Sequence, residues 1–454
     1  MQYPLAIAFL LILGVLAIVY PPAVACAYML FGMQDTTGIG TVFTEATHVP
    51  LIALSALCFI ATFKVFRTLW RNRNNSPTDY RVFVVSLLSV GITAWIGLSV
   101  YSDTGSVSAG LIAAASSGVY GVVFGVAYYR KRLAMIIMLL PVVLHLILTF
   151  GIVSVPEGPW ALLAAPASQL MDSASTGLSD DGIVRPSGQF DNSVPLAFFG
   201  AIVAIVGLYC LVYSRRKYAR LLGLALLVLG GWVSVVTIQR AVCVGLVIAS
   251  FVLLRPLAKK ASGKYIYHAY FLLVLVVLCS ILTSTDNPTL SRLRDFFWEA
   301  RSSNYRVMAA VNSLDVLFSK PLFGVSGEVR SLLDLAGGAP HQCFYFFAVM
   351  YGIPAGLGLL ALTCLVMISN LRGGNAPGEH DFPTHQRYFA LAVGWVLLSM
   401  SLTNNMSGGL FGWICLGFAC LPWAYAVPQR QPAGLTIPRL SAISAWPEPR
   451  RGEN

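Results

Sequence analysis

Charged residues are scarce in this chain of 454 residues: Asp, Glu, Lys and Arg make up 11%, whereas hydrophobic residues make up 57%. A soluble domain carries roughly 25% charged residues, so this chain cannot cover a soluble surface of its size with polar groups. We therefore expect lipid to cover much of the protein. The composition excludes a set of soluble domains and favours membrane spans of roughly 20 apolar residues each.

Signals for metal or disulfide frameworks are also lacking. The nine cysteines show no CxxC or paired spacing, and only Cys343 adjoins a polar loop. Asp35 and Glu45, between the first two apolar runs, are ten residues apart with no adjacent acidic pair in that segment, and His48 follows them. Metal-dependent glycosyl transfer, in which a divalent ion neutralises a diphosphate, is therefore the less favoured alternative. We predict no metal and no cofactor.

What the sequence has in abundance is long apolar stretches. These should all be helices, because an unpaired strand in lipid leaves its backbone groups unsatisfied. The first stretch carries Pro21 and Pro22, which predict a kink or break, and it is too long for a cleaved signal peptide. The twelve stretches are 5–32, 49–70, 82–101, 107–127, 133–154, 194–213, 220–238, 241–254, 265–284, 344–370, 388–403 and 409–427.

Basic residues give the orientation, because cytoplasmic loops are enriched in Lys and Arg. Alternate loops hold 22 of the 30 basic residues but only 5 of the 19 acidic ones. The net charge of +11 is therefore a topology signal and not a nucleic-acid signal. We predict an all-α polytopic protein with both termini cytoplasmic, one transmembrane domain over 1–427 and a disordered cytoplasmic tail over 428–454. Two long loops, 155–193 and 285–343, lie outside.

Three arginines on the outer side are candidate phosphate ligands. Arg240 interrupts an almost continuous apolar stretch, where an arginine costs about 3 kcal/mol to insert. It either snorkels to headgroups or faces an aqueous cavity as a fixed cation. Arg306 lies in 303–319, which we interpret as an amphipathic interfacial helix; the alternative is an acidic or headgroup partner. Arg185 is a phosphate ligand or a plain loop arginine.

His341 is the candidate catalytic residue. It ends the second long loop, and a strongly apolar stretch follows it directly. A neutral imidazole there can accept a proton near pH 7, although it could instead bind phosphate or orient a sugar. His145, inside an apolar run, is expected to be a satisfied helix-packing residue.

Around His341 the sequence resembles a known pattern. His341, Gln342, nine residues and then Gly352 resemble the motif of the O-antigen ligase family, whose last place is Gly, Thr or Tyr and is Ala355 here. KPLFGVS at 320–326 resembles the Pro-Leu-Phe-Gly-Val-Gly turn of that family, with Ser326 in the last place.

Three further segments resemble the arginine-bearing motifs of the family. NYRVMAAVNSL contains Arg306, and TIQRAVCVGLVIAS contains Arg240, with Gln239 where the family usually has serine. RPSGQFDNSVPLAF begins with Arg185, and its asparagine is displaced to Asn192. The segments follow the order of the family, lie on one predicted side and cover about a fifth of the chain.

The resemblance implies a bacterial inner membrane, a periplasmic active site and the twelve-span fold related to the C-class glycosyltransferases. It implies a glycan donor linked to undecaprenyl diphosphate. Ligases of the family transfer the glycan to the lipid A–core of lipopolysaccharide, whereas polymerases transfer it to another repeat unit, and related members transfer it to protein.

The expected function is metal-independent glycan transfer. His341 would act as the general base, Arg240, Arg306 and Arg185 would bind the diphosphate, and Gln342 and Tyr305 would position the substrate. A lipid or polysaccharide transporter is the alternative of another class. The sequence favours the enzyme, because a transporter should carry ionisable groups at mid-membrane, and here the charges cluster at the outer face.

Overall fold

The computed structural model describes residues 3–31, 43, 51–75, 77–128, 132–154, 193–237, 239–258, 261–283, 301–326, 342–372, 384–403 and 410–419. Within these ranges the chain forms helices and turns and no β-strand. The helices are α1 (Tyr3–Val19), α2 (Pro21–Phe31), α3 (Leu51–Asn72), α4 (Pro77–Thr104), α5 (Val107–Ser116), α6 (Gly121–Tyr128), α7 (Arg132–Ser154), α8 (Ser193–Tyr213), α9 (Lys217–Val236), α10 (Arg240–Ala258), α11 (Ala261–Thr283), α12 (Arg301–Ser319), α13 (Cys343–Tyr351), α14 (Ile353–Arg372), α15 (Thr384–Thr403) and α16 (Leu410–Ala419).

The described helices are those of a membrane protein. Five of them are long and apolar enough to cross a bilayer, and a sixth span results if α5 and α6, which meet at 41°, count as one. Large apolar side chains such as Leu11 on α1 and Leu221 on α9 are exposed. Exposing such a side chain to water forgoes about 1.5–3 kcal/mol, whereas acyl chains solvate it. The predicted all-α polytopic class is confirmed, while the count of twelve spans stays a prediction.

The first apolar run, 5–32, is not one span. It breaks at Tyr20, which confirms the predicted break at the proline pair. However, the rings of Phe9 in α1 and Phe31 in α2 have centroids only 6.3 Å apart, although a straight helix would separate these positions by about 33 Å. The two helices therefore form an antiparallel hairpin, so of the predicted kink or break the structure shows a break that reverses the chain.

This hairpin determines at which end of the bundle α1 starts. Its turn at Tyr20 shares a cavity with Lys64 near the end of α3, Asp79 at the start of α4 and Tyr128 at the end of α6. The start of α1 consequently lies at the opposite end of the bundle from this cavity.

The last described helix runs towards the cavity end. A Cβ atom on Gly118, just before α6, would meet Leu410 at the start of α16, and one on Gly125 would meet Gly417. The two helices are thus parallel, and α16 ends on the side where α6 ends. The start of the first described helix and the end of the last therefore lie at opposite ends of the bundle. Residues 1–2 and 420–454 lie outside the described residues, so the location of both termini in the cytoplasm stays a prediction.

Glycines allow a close helix contact between α8 and α9. A Cβ atom on Gly230 would lie 2.4 Å from the carbonyl oxygen of Gly200, and one on Gly207 would lie 2.6 Å from that of Gly223. The paired positions run in opposite directions, so the helices are antiparallel. Small residues allow this approach in lipid, where dispersion and not the hydrophobic effect drives helix association.

We predict that Gly230→Ala destabilises the protein by about 1–3 kcal/mol, because the new methyl group meets backbone atoms of α8 that cannot move aside cheaply. Gly231→Ala is the matched control, since a Cβ atom there meets nothing within 4 Å. Thermal unfolding of the purified protein in detergent measures both. Equal midpoints for the two variants would contradict the close contact.

Candidate active site

The turn of residues 320–324 packs against the carboxyl-terminal half of α4. The ring of Phe323 stacks on Trp95 with centroids 5.3 Å apart and planes inclined by 11°. The hydroxyl of Ser99 donates a hydrogen bond to the carbonyl of Phe323. One aromatic contact and one polar contact therefore fix the turn on the same face of α4.

An ion pair closes the outer edge of this contact. The ammonium of Lys320 lies 2.6 Å from a carboxylate oxygen of Asp103, whose side chain is 3% exposed while that of the lysine is 45% exposed. A half-exposed pair contributes at most about 1 kcal/mol by itself. Removing the lysine would nevertheless deprive a buried carboxylate of a cation, which is unfavourable. The sequence placed both residues in outside loops, and their contact agrees with that placement.

The same turn sits on the break between α13 and α14. The amide of Val325 donates to the carbonyl of Val349 at 3.2 Å, and the amide of Ile353 donates to the carbonyl of Pro321 at 2.8 Å. Trp95 adds a hydrogen bond from its indole N–H to the carbonyl of Tyr351 at 3.0 Å. The turn thus supplies partners to backbone groups that the helix break leaves free.

Glycine is required on both sides of this contact. Gly352 has φ +90°, and a Cβ atom there would lie 1.8 Å from the carbonyl oxygen of Leu322. Gly324 has φ +67°, and its Cβ atom would lie 2.5 Å from backbone atoms of Met350. Only glycine adopts such φ values without strain and leaves room for a second backbone. The KPLFG turn and the glycine of the His341 motif, far apart in sequence, therefore form one structural unit.

Helix α13 folds back along α14. A Cβ atom on Gly356 would lie 2.6 Å from the carbonyl oxygen of Phe344, although twelve residues of straight helix span about 18 Å. The apolar run 344–370 was predicted to be one span, and this prediction is wrong, because Gly352 reverses the chain direction. Ala355 is buried at the start of α14, where its amide donates to the carbonyl of Gly352 at 3.0 Å.

The reversal determines where α13 begins. Along α4, Asp103 contacts Lys320, Trp95 contacts Tyr351, and Ile92 lies against Gly358. Helix α14 therefore leads away from the Asp103 end, and the first turn of α13 lies beside it. Gln342, which directly follows His341, is exposed there. The start of α13 thus lies deeper along the bundle than the KPLFG turn.

Helix α12 runs parallel to α13. The Tyr345 hydroxyl donates to the carbonyl of Ala310 at 2.8 Å and accepts a hydrogen bond from the Ser313 hydroxyl at 3.1 Å. Further on, Leu317 and Val349 belong to one buried apolar cluster, and the amide of Ile353 donates to the carbonyl of Pro321. Contacts 313–345 and 321–353 share an offset of 32 residues, so both helices advance in the same direction.

This register places Arg306 before the described start of α13. Positions 306, 310 and 313 follow helical spacing along one face of α12, and Ala310 and Ser313 contact Tyr345 of α13. The backbone position of Arg306 lies two turns before Ser313 on this face. Residues 327–341, which include His341, lie outside the described residues. The predicted helix over 303–319 is confirmed as Arg301–Ser319.

Arg240 is the first residue of α10, at the corner where α9 has just ended. The buried Gln239 precedes it, and the carbonyl of Gln239 accepts hydrogen bonds from the amides of Val242 and Cys243 at 3.0 Å. The backbone at such a helix start carries a partial positive charge suited to anions. Helix α15 packs against both α10 and α13, and so connects the helix that begins at Arg240 to α13.

Several predicted site groups lie outside the described part of the chain. These are His341 and Arg185, the Asp35, Glu45 and His48 group, and the side chains of Arg240, Arg306 and Tyr305. Among the described residues, no group of three or more His, Cys, Asp or Glu side chains could hold a metal ion. His145 is fully buried, with its Nε2 atom 2.8 Å from the carbonyl oxygen of Met29, which confirms its predicted packing role.

Sequence reasoning missed the residues that hold the site together. Asp103, Trp95 and Ser99 of α4 carry the KPLFG turn, and Ser313 with Tyr345 joins α12 to α13. Of these residues, only Asp103 could have been found from the sequence, because it is an acidic residue just after an apolar run. Neither a family model nor a curated protein matches this chain, so the resemblance to the O-antigen ligase family rests on the quoted motifs.

We predict that Gly352→Ala abolishes the function of the protein or its folding, because a methyl group cannot fit 1.8 Å from the Leu322 carbonyl oxygen. Gly105→Ala is the control for backbone strain alone: Gly105 has φ +67° but open space around its Cβ position. The control should lose about 1–2 kcal/mol of stability at most. Membrane yield, thermal midpoint and activity are measured for the Gly352→Ala and Gly105→Ala variants. A fully active Gly352→Ala protein would disprove the packing described.

Proposed function

We propose that this protein is a glycosyltransferase of the O-antigen ligase type. It moves a glycan from undecaprenyl diphosphate to a hydroxyl of lipid A–core lipopolysaccharide at the periplasmic face of a bacterial inner membrane. The observation that carries the proposal is the parallel packing of α12, which contains Arg306, against α13, which begins two residues after His341 in the sequence. The exposed Gln342 at the start of α13 adds support, since a transfer site must be open to its substrates.

In the proposed reaction, an acceptor hydroxyl attacks the anomeric carbon of the lipid-linked sugar. The new carbon–oxygen bond forms as the bond from that carbon to the diphosphate breaks, and direct attack inverts the anomeric centre. His341 accepts the hydroxyl proton as general base. The diphosphate departs with an additional negative charge.

Arginines would stabilise that developing charge. Arg240 and Arg306, with Arg185 as a further ligand, would bind the diphosphate through planar guanidinium groups that match pairs of phosphate oxygens. A well-placed donor in a partly dry cavity stabilises the transition state by roughly 2–4 kcal/mol. The helix start at Arg240 supports this role, because its backbone polarity also favours an anion. Gln342 and Tyr305 would position the sugar.

Two alternatives remain within reach of experiment. A polymerase of the same family would use the same chemistry and transfer the glycan to another repeat unit, and Ala355 in the last motif place departs from the ligase pattern. A lipid or polysaccharide transporter would move its cargo without breaking a bond. The charge distribution favours transfer over transport, because the candidate cations cluster on one predicted side.

We predict that His341→Ala abolishes product while the protein remains in the membrane, because no base then accepts the acceptor proton. A loading assay with the lipid-linked glycan and lipid A–core, read on a gel, measures this. Single glycan blocks on lipid A–core indicate a ligase, and a ladder of longer chains on the carrier indicates a polymerase. Normal transfer by the variant would exclude the base, and vesicle uptake without a changed linkage would favour the transporter.

We predict that Arg240→Lys loses activity nearly as completely as Arg240→Ala, because lysine cannot reproduce bidentate contacts to phosphate. Loss of one such donor corresponds to about a 10²–10³-fold lower rate. Arg67→Lys, at an exposed position on α3, is the control for the substitution itself. Wild-type activity of Arg240→Ala would remove this residue from the proposed site.

A further inference from the structure

The described part of the bundle contains a cavity at the end where α1 turns into α2. It has a volume of about 320 Å³, which lies in the range of small-ligand sites. Its lining includes Tyr20, Lys64, Thr68, Asn72, Asp79 and Tyr128. Among the described residues, no candidate transfer residue belongs to this lining, and the charge distribution places the cavity on the predicted cytoplasmic side.

Helix ends give this cavity its polarity. The helices α1, α3 and α6 all end at it, through Val19, Asn72 and Tyr128. The last carbonyl groups of a helix lack intrahelical donors, and this end carries partial negative charge. The helix starts at this end offer fewer donors than usual, because α2 begins with two prolines and α4 with one, and proline has no N–H group. The wall of the cavity therefore offers carbonyl oxygens, of which that of Asn72 also accepts a hydrogen bond from the amide of Asn75.

Two side chains add charges of opposite sign to the lining of this cavity. Asp79, in the first turn of α4, adds a carboxylate to the wall. Lys64 is exposed and supplies a cation in the same lining. Hydroxyl or amide groups of Tyr20, Thr68 and Asn72 can add hydrogen bonds. A ligand that fits both signs carries an ammonium next to a phosphate.

The surroundings of the cavity indicate a lipid. Helices α3 and α4, which meet there, are among those able to cross a membrane. Ile18 and Val19 at the end of α1 are 65% and 68% exposed, so apolar surface begins where the polar lining stops. A headgroup in the cavity would leave its acyl chains against this surface, where a soluble amine would gain nothing.

We propose that this cavity binds the headgroup of a phospholipid with a primary ammonium. The ammonium lies between Asp79 and the three helix ends, and the phosphate lies at Lys64. Binding there fastens α1 and α2 to α3, α4 and α6 at the end of the bundle away from the transfer site.

Native mass spectrometry of the full-length protein, stripped of lipid and then titrated, tests this assignment. The probes are phosphatidylethanolamine, phosphatidylglycerol and phosphatidylcholine with identical acyl chains. We expect phosphatidylethanolamine to be retained most strongly, because only its headgroup offers a primary ammonium beside a phosphate. Lys64→Gln and Asp79→Asn should each weaken its retention by about threefold or more.

Arg67→Gln is the matched control, one helical turn from Lys64 but outside the cavity, and should retain the lipid as the unaltered protein does. If Asp79→Asn folds poorly, the exposed Lys64→Gln variant still decides the question. Equal retention of the three phospholipids, or equal losses in Lys64→Gln and Arg67→Gln, would overturn the proposal. Soluble phosphoethanolamine that displaces the phospholipid at equal concentration would overturn the lipid assignment.

Discussion

The backbone contact between the KPLFG turn and Gly352 is the constraint on which the candidate site depends. Two chain segments with left-handed glycines approach each other so closely that neither tolerates a Cβ atom. Breaking α13 from α14 leaves amide and carbonyl groups free, and in a lipid-covered bundle these need internal partners. The turn provides them, and the Trp95, Ser99 and Asp103 side chains of α4 hold it in place.

That constraint determines the geometry of the proposed chemistry. Because Gly352 reverses the chain, α13 starts beside α14 and not at the end of a long span. The Ser313–Tyr345 contact then sets α12 parallel to it. Arg306 lies on α12, and Gln342 directly precedes α13, so the contact between Ser313 and Tyr345 sets the register between the two helices that flank the long loop.

The same principle appears at the other end of the bundle. A proline-marked break produces the α1–α2 hairpin, as the glycine break produces α13–α14. At each break, polar groups are gathered within an apolar bundle. At Gly352 the turn supplies backbone hydrogen bonds, and at Tyr20 a cavity is lined by polar groups. Broken helices in lipid are tolerated where the irregular backbone is enclosed by protein or lines a cavity, and this chain shows both cases.

The sequence by itself determined the membrane class, the all-helical structure, the break at Pro21 and the helix containing Arg306. Each of these follows from local composition or periodicity, which a single chain segment already expresses. The packing role of His145 was also predictable, since a lone imidazole in an apolar run needs only one carbonyl nearby.

Only the tertiary structure decided that the runs 5–32 and 344–370 are hairpins. Hydropathy records how much apolar surface a segment carries, but not the angle at its break; that angle is set by what packs into it. The chain reverses at Gly352, where Leu322 occupies the space beside the glycine. Phe9 contacts Phe31 because α1 and α2 pack side by side. Such contacts join residues distant in sequence, so no local pattern specifies them.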